Sequence, residues 1–182
     1  MLPDVASKLT RSAVLDATLE LAEEEGFEAV SMRAVARRLG VTPMALYRHV
    51  GDKQGLLDGL VERLLEELPE PDPALPPLER LSALAGGARE IARRHPEAFL
   101  MLMRRPIVTP AAVRRREAIY TALRDLGVPE ELVPRVEYMV STFALGFAAS
   151  EAGGRFEGKT TEQLDAELAW LEGIMRRLIA DG

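Results

Sequence analysis

Three features of the sequence predict an all-α fold. Ala, Leu, Arg and Glu dominate the composition and strand formers are scarce. Apolar residues, 47% of the chain, recur at the three- and four-residue spacings of a helix face. Capping residues and Gly or Pro stops bracket those periodic segments, which number about nine. A length of 182 residues suits one domain or two small ones sharing a core.

The first helix is expected from about Thr10, its N-cap, to Glu25, with Gly26 as the stop. Val14, Ala17 and Leu21, with Ala13 and Leu15 beside them, form a broad apolar face, and Phe27 and Val30 anchor the connection that follows. Ser31 caps the second helix, whose Met32, Val35, Ala36 and Leu39 recur at i, i+3, i+4 and i+7 and face inward. Arg33 and Arg37, four apart, share its outer face, with Arg38 nearby. Gly40 fits a left-handed C-terminal position, and Val41 plugs the turn. Thr42 and Pro43 are the N-cap and first residue of a short third helix, which runs to about His49 with Leu46 and Val50 inward.

Gly51 ends that helix and Asp52 caps a fourth, striped by Leu57, Leu60, Val61, Leu64, Leu65 and Leu68. Gly55 and Gly59 weaken it by about 1 kcal/mol each relative to alanine, but permit close approach of a neighbour. Residues 69–77 hold five prolines and cannot be helical, so they mark a connection between an N-terminal domain at 8–68 and a second at 78–182. Further helices are expected near 78–94, 97–104, 110–126, 130–152 and 161–180. Their signals are Pro96, Thr109–Pro110, Gly127 with Pro129, the Gly153–Gly154 break, and a Thr160/Gln163 capping box.

Several function classes fall away. The absence of cysteine excludes disulfides, thiolate catalysis and Cys-based metal sites, and two histidines, His49 and His95, leave little for a His-based centre. No phosphate-binding loop, nucleophile elbow or Ser/His/Asp arrangement is visible, so neither an enzyme nor a cofactor is expected. No apolar run reaches the roughly 18–20 residues of a membrane span, and MLPDVASKLT lacks the apolar core of a signal peptide. A soluble, cytoplasmic protein is expected.

Net charge is −6, which argues against a general nucleic-acid binder, but its distribution is uneven. Between Ser31 and Lys53 there are five basic residues, Arg33, Arg37, Arg38, Arg48 and Lys53, against the single acid Asp52. One basic stripe on an acidic protein should meet DNA at one defined place, because phosphate attraction is short-ranged at physiological salt. The stripe coincides with two short helices joined by a tight Gly-containing turn, the helix-turn-helix pattern, over residues 31–50.

Pro43, Met44, Tyr47 and Arg48 are expected to point outward. Arg48 has the fork that reads guanine, while Pro43, Met44 and Ala45 suit a thymine methyl. Thr42, Tyr47 and His49 are placed to donate to phosphates, and Lys53 sits at a helix N-terminus, where charge and amides combine against one. Alone, the arginines would be a solvated helix face and His49 a surface residue; the adjoining turn changes that reading.

SMRAVARRLGVTPMALYRHVGDKQGLL resembles the DNA-binding domain of the tetracycline-repressor (TetR) family: a capped basic helix, LGV, an LY-x-H recognition helix, then a Lys before a Leu pair. The likeness covers about residues 8–68 and includes the Gly26–Phe27 pair. It implies that Tyr47, His49 and Lys53 contact phosphates and that Arg33, Thr42, Pro43, Met44, Ala45 and Arg48 face the groove or its edge. Two departures are Arg48, where that branch often has an aromatic, and Gly51, where Lys or Asn is common.

The resemblance also implies a small-molecule pocket within the C-terminal helices and pairing of the last two helices across a two-fold axis. Phe99 to Met103 are too continuously apolar for a surface helix, and methionine suits an adaptable cavity. Phe99, Met101, Met103, Tyr120, Tyr138, Met139, Phe143 and Trp170 are the candidate lining, for an effector of apolar or aromatic character. Plain core is the other reading of such a stripe. Tyr138, Met139, Phe143 and Phe147, and Leu164, Leu168, Leu171, Ile174, Met175 and Leu178, leave a large apolar patch unless a partner chain or the chain itself covers it. The resulting expectation is a homodimeric repressor on a near-palindromic operator, released by its effector; a DNA-binding protein without effector is the rival.

Overall fold

Three of the four N-terminal helices start where a side chain satisfies one of their first amides. Thr10 accepts from Ala13 N at 3.1 Å and opens α1 (Arg11–Glu25). Ser31 accepts from Ala34 N at 3.1 Å and opens α2 (Met32–Arg38). Asp52 accepts from Gly55 N at 2.8 Å and opens α4 (Lys53–Glu66). α3 (Pro43–Val50) differs: Thr42 occupies the N-cap position but its hydroxyl makes no capping bond, and Ala45 N donates to the Thr42 carbonyl at 3.0 Å instead. The proline at the first position already removes one unpaired amide, so α3 starts without the side chain. Between α1 and α2 lies a 3-10 turn, Phe27–Ala29.

The computed structural model describes residues 9–104, 109–160, 162–166, 168–170 and 173. After α4 come α5 (Pro77–Arg94), α6 (Pro96–Arg104), α7 (Pro110–Asp125) and α8 (Val133–Ala152), and residues 162–166, 168–170 and 173 are again helical. The described residues contain no strand. α8 starts at Val133 and not near 130: residues 129–132 close a turn through Leu132 N to the Pro129 carbonyl at 2.8 Å. Pro134 has no N–H to give, which a helix accommodates only in its first turn. The capping box forms reciprocally, Thr160 N to Gln163 Oε1 at 2.9 Å and Gln163 N to Thr160 Oγ1 at 3.2 Å. Leu171, Ile174, Met175 and Leu178 lie outside the described residues, as do the side chains of Met101 and Met103.

Contacts divide the chain into two units. The first takes the described residues up to Leu68 together with Ile91–Arg114. Its core is built from Val14, Leu21, Val30, Val35, Leu46, Leu56, Leu60 and Leu64, all fully buried. α6 packs against α1 and α4 and contributes Ala98, Phe99 and Leu102 to that interior. Glu23 of α1 fastens it by accepting from Ala98 N at 3.1 Å, and Glu62 of α4 holds the first turn of α7 by accepting from Ala111 N at 3.1 Å. An acid at a helix N-terminus meets the positive end of the dipole. Phe99→Ala should lower stability by about 3–5 kcal/mol, since a fully buried phenylalanine leaves a cavity its neighbours fill only in part. Urea unfolding checks this; a loss below about 1 kcal/mol would mean that the site collapses freely or that Phe99 is not core.

The second unit takes Pro69–Glu90 and the described residues from Arg115 onward. The proline-rich connection makes an Asp72 turn, with Ala74 N on Asp72 Oδ1 at 2.9 Å, and Arg115 holds it through the Pro69 carbonyl at 3.1 Å. Leu78, Leu84, Ala88, Ala122, Leu123, Val133, Ala148 and Leu164 are buried. Arg80 pairs with Asp125, and Arg89 pairs with Glu151 and Asp165 while lying over the Phe147 ring.

Candidate nucleic-acid interface

α3 is held to its unit from one side only. Leu46 is 0% exposed and Val50 is buried, and α3 packs on α1, α2 and α4. The opposite face carries Met44 at 73% exposure and Tyr47 at 46%, with Thr42, Pro43 and Arg48 also exposed and Ala45 and His49 half-buried. Met44 and Arg48 are one helical turn apart and share that face.

The turn before α3 follows from Gly40. Its φ is +66°, a left-handed conformation that closes α2 by bonding Val41 N to the Ala36 carbonyl at 3.0 Å and Gly40 N to the Arg37 carbonyl at 3.2 Å. The Thr42 hydroxyl, not used as a cap, is exposed at the N-terminus of α3, where a phosphate oxygen can accept from it.

Arg33 and Arg37 are exposed on α2, as the four-residue spacing requires, and Lys53 is the exposed first residue of α4. Arg33, Arg37, Arg48 and Lys53 enter no ion pair among the described residues. A cationic group not tied up in an ion pair keeps its attraction for phosphate. At α4 the Asp52 carboxylate already takes the Gly55 amide, so any anion there is met by the Lys53 ammonium more than by bare helix amides.

Arg38 departs from the basic stripe. It turns to α1 and pairs with Glu20 at 3.2 Å and Glu24 at 2.6 Å. Those hydrogen bonds raise the Arg38 pKa further above its ordinary range and hold the Glu24 carboxyl below the usual carboxylate value. The acids lie on a different helix, so spacing within α2 could not disclose them. A usable signal was the Glu20/Glu24 pair itself, two acids on one ridge of α1.

The candidate effector residues are distributed over both units. Phe99 is 1% exposed in the first. In the second, Tyr120 is half-buried under the Arg124 guanidinium, 5.6 Å from its ring. Tyr138, Met139 and Phe143 are exposed by 70%, 65% and 50%, and Trp170 by 67%. The Phe143 ring lies 6.1 Å from that of Phe147, which lies 5.1 Å from that of Phe156, and the latter two are half-buried. Among the described residues no group of three metal-ligating side chains occurs, and no helix is long and apolar enough to cross a membrane.

Residues 14–60 match the model of bacterial regulatory proteins of the tetR family, and residues 72–172 match the tetracyclin repressor-like C-terminal domain. The chain is 32% identical over 180 residues to the HTH-type transcriptional repressor DrrR1 of Streptomyces coeruleorubidus, covering 96% of this chain and 66% of that protein, just under two thirds of its length. It is 46% identical over 59 residues to the class C tetracycline repressor of Escherichia coli, covering 32% of this chain and 27% of that one. The crystal structure of ActR from Streptomyces coelicolor in complex with actinorhodin superposes with a TM-score of 0.72 at 26% identity, over 82% of this chain and 70% of that one.

Proposed function

The chain belongs to the TetR family of bacterial transcriptional regulators, and from that premise we propose that it is a homodimeric repressor whose α3 reads a near-palindromic operator. One observation carries the reading: Met44 and Arg48 stand out from a helix whose other side, Leu46 and Val50, is buried. Arg48 takes guanine O6 and N7, Met44 a thymine methyl, and Thr42, Tyr47, His49 and Lys53 take phosphates. Pro43, Ala45 and Arg33 complete the surface at the groove edge. A dimer presents two such helices about 34–36 Å apart, one helical turn of DNA. Repression follows from occupancy of a promoter, which agrees with the named role of DrrR1.

The effector half of the proposal is a small molecule of apolar or aromatic character bound in the C-terminal domain, 78–182. The support is the ActR likeness, a structure with a bound small molecule, together with the Phe147–Phe156 ring contact within the second unit. An effector that prefers a conformation with the wrong spacing of the two α3 helices lowers DNA affinity by the same coupling factor.

The test is fluorescence anisotropy on DNA from immediately upstream of the gene, or on a duplex from random-sequence selection, against scrambled DNA at several salt concentrations. Arg48→Ala should cost about 1–3 kcal/mol per half-site and relax preference at one base pair. Lys53→Ala should weaken operator and scrambled DNA alike and lower the salt slope by about 0.9 per protomer. No preferred sequence in the selection would sink the operator reading; equal losses on both DNAs for Arg48→Ala would demote Arg48 to a phosphate contact.

A further inference from the structure

We propose that Glu20 and Glu24 act as internal stand-ins for DNA phosphate at Arg38, which makes this arginine a positioning residue for α2 and withholds its charge from nucleic acid. The inference rests on the DNA-binding reading above. Arg38 donates from Nε and Nη2 to Glu20 Oε2, both at 3.2 Å, and from Nη1 and Nη2 to Glu24 at 2.7 and 2.6 Å. Those bonds use four of the guanidinium's five N–H groups. The two-pronged grip on Glu24 is the geometry an arginine otherwise gives to phosphate.

An isolated exposed ion pair fixes little. Here one guanidinium, on a side chain 27% exposed, is shared by two exposed acids one turn apart on α1, so the last residue of α2 is tied at two points and the three charges form a network, not an isolated pair. α2 has seven residues, and its C-terminal end leads directly through Gly40 and Val41 into α3. A tie at that end sets the angle at which α2 delivers Arg33 and Arg37 and at which the turn delivers α3. The same tie has an electrostatic consequence. A mobile arginine beside Arg37 would strengthen binding to every sequence and so reduce the ratio of specific to non-specific affinity. Neutralising Arg38 internally keeps the stripe to side chains in register with the duplex.

The experiment titrates four full-length proteins, wild type, R38Q, E20Q/E24Q and R38Q/E20Q/E24Q, on operator and on scrambled duplex across salt. R38Q is expected to weaken operator binding about tenfold with an unchanged salt slope, because no phosphate contact is lost. E20Q/E24Q is expected to tighten scrambled-DNA binding and steepen the slope by about 0.9 per released arginine. The triple variant should lose that gain, a readout that a purely structural role for Arg38 would not move. Circular dichroism melts establish that each variant is folded; should R38Q not fold, E20Q/E24Q and the triple variant still decide.

A salt slope that falls by about 0.9 per protomer in R38Q would overturn the proposal, since Arg38 would then be a phosphate ligand. A gain in E20Q/E24Q that survives in the triple variant would overturn it too, as a general charge effect. Failure of the wild type to prefer operator over scrambled DNA would overturn the DNA-binding reading along with it, and is visible before any substitution is made.

Discussion

Gly55→Ala is expected to reduce operator affinity by about 100-fold or more while the C-terminal helices stay folded. A methyl carbon at position 55 would lie 2.0 Å from the Val50 carbonyl oxygen and 3.2 Å from its carbon. Both are backbone atoms of the last residue of α3, so no side-chain rotation relieves the overlap. The junction between α3 and α4 must open, and α3 is the element whose Met44 and Arg48 are proposed to face the groove. Loss of one bidentate base contact costs about 1–3 kcal/mol, and the proposed dimer would lose it twice, which brings the effect to about two orders of magnitude. Gly59→Ala is the contrast. There the added carbon meets the ends of flexible side chains, Leu15 Cδ2 at 2.7 Å and Arg11 Nη2 at 3.0 Å. Those can swing away, and alanine returns about 1 kcal/mol of helix propensity, so operator binding should stay within a few-fold of wild type. Anisotropy on both variants, with thermal melts alongside, reads the comparison. Wild-type affinity in Gly55→Ala would show that the α3–α4 junction does not govern how α3 meets DNA.

Those two glycines show where sequence reasoning reaches and where it stops. Their permission for close approach was legible, because glycine inside a leucine-striped helix has few other uses. What approaches each of them was not, since Val50 and Leu15 come from different elements. The caps at Thr10, Ser31 and Asp52 were readable for a local reason: donor and acceptor are three residues apart. Arg38 is the opposite case. Its neighbours Arg33 and Arg37 suggested a common outer face, yet a helix turns about 100° per residue, and that single step brings Arg38, still at the surface, within reach of the acids of α1. Leu56 was left out of the predicted stripe for a related reason, since α4 is covered by α1, α3 and α6 and buries a face wider than one ridge. On α8, a series of Tyr, Met and Phe reads the same whether it lines an interior or stands at the surface; the exposure of Tyr138, Met139 and Phe143 puts these three at the surface.

That exposure sets up the second large effect. Tyr138→Asp/Phe143→Asp is expected to yield a monomer at micromolar concentration and to weaken operator binding by about 10²–10⁴-fold. When two recognition helices are joined, the second half-site is met at an effective concentration near millimolar, and separating the protomers forfeits that advantage. The substitutions should be tolerated by the single chain. Tyr138 and Phe143 are already 70% and 50% exposed, so new carboxylates there stay solvated and leave little cavity behind. Phe99 is the counterexample, with nowhere for water to enter. Two readouts separate the possibilities, sedimentation equilibrium for the assembly and anisotropy on full and single half-site duplexes for the DNA. A single half-site should bind as in the wild type, because α3 is untouched. If the variant remains dimeric, the two-fold contact lies elsewhere on the chain. If it is monomeric yet holds the full operator as tightly as before, the operator is read by one protomer at a time. The requirement for two-fold symmetry in the DNA would then go with the dimer.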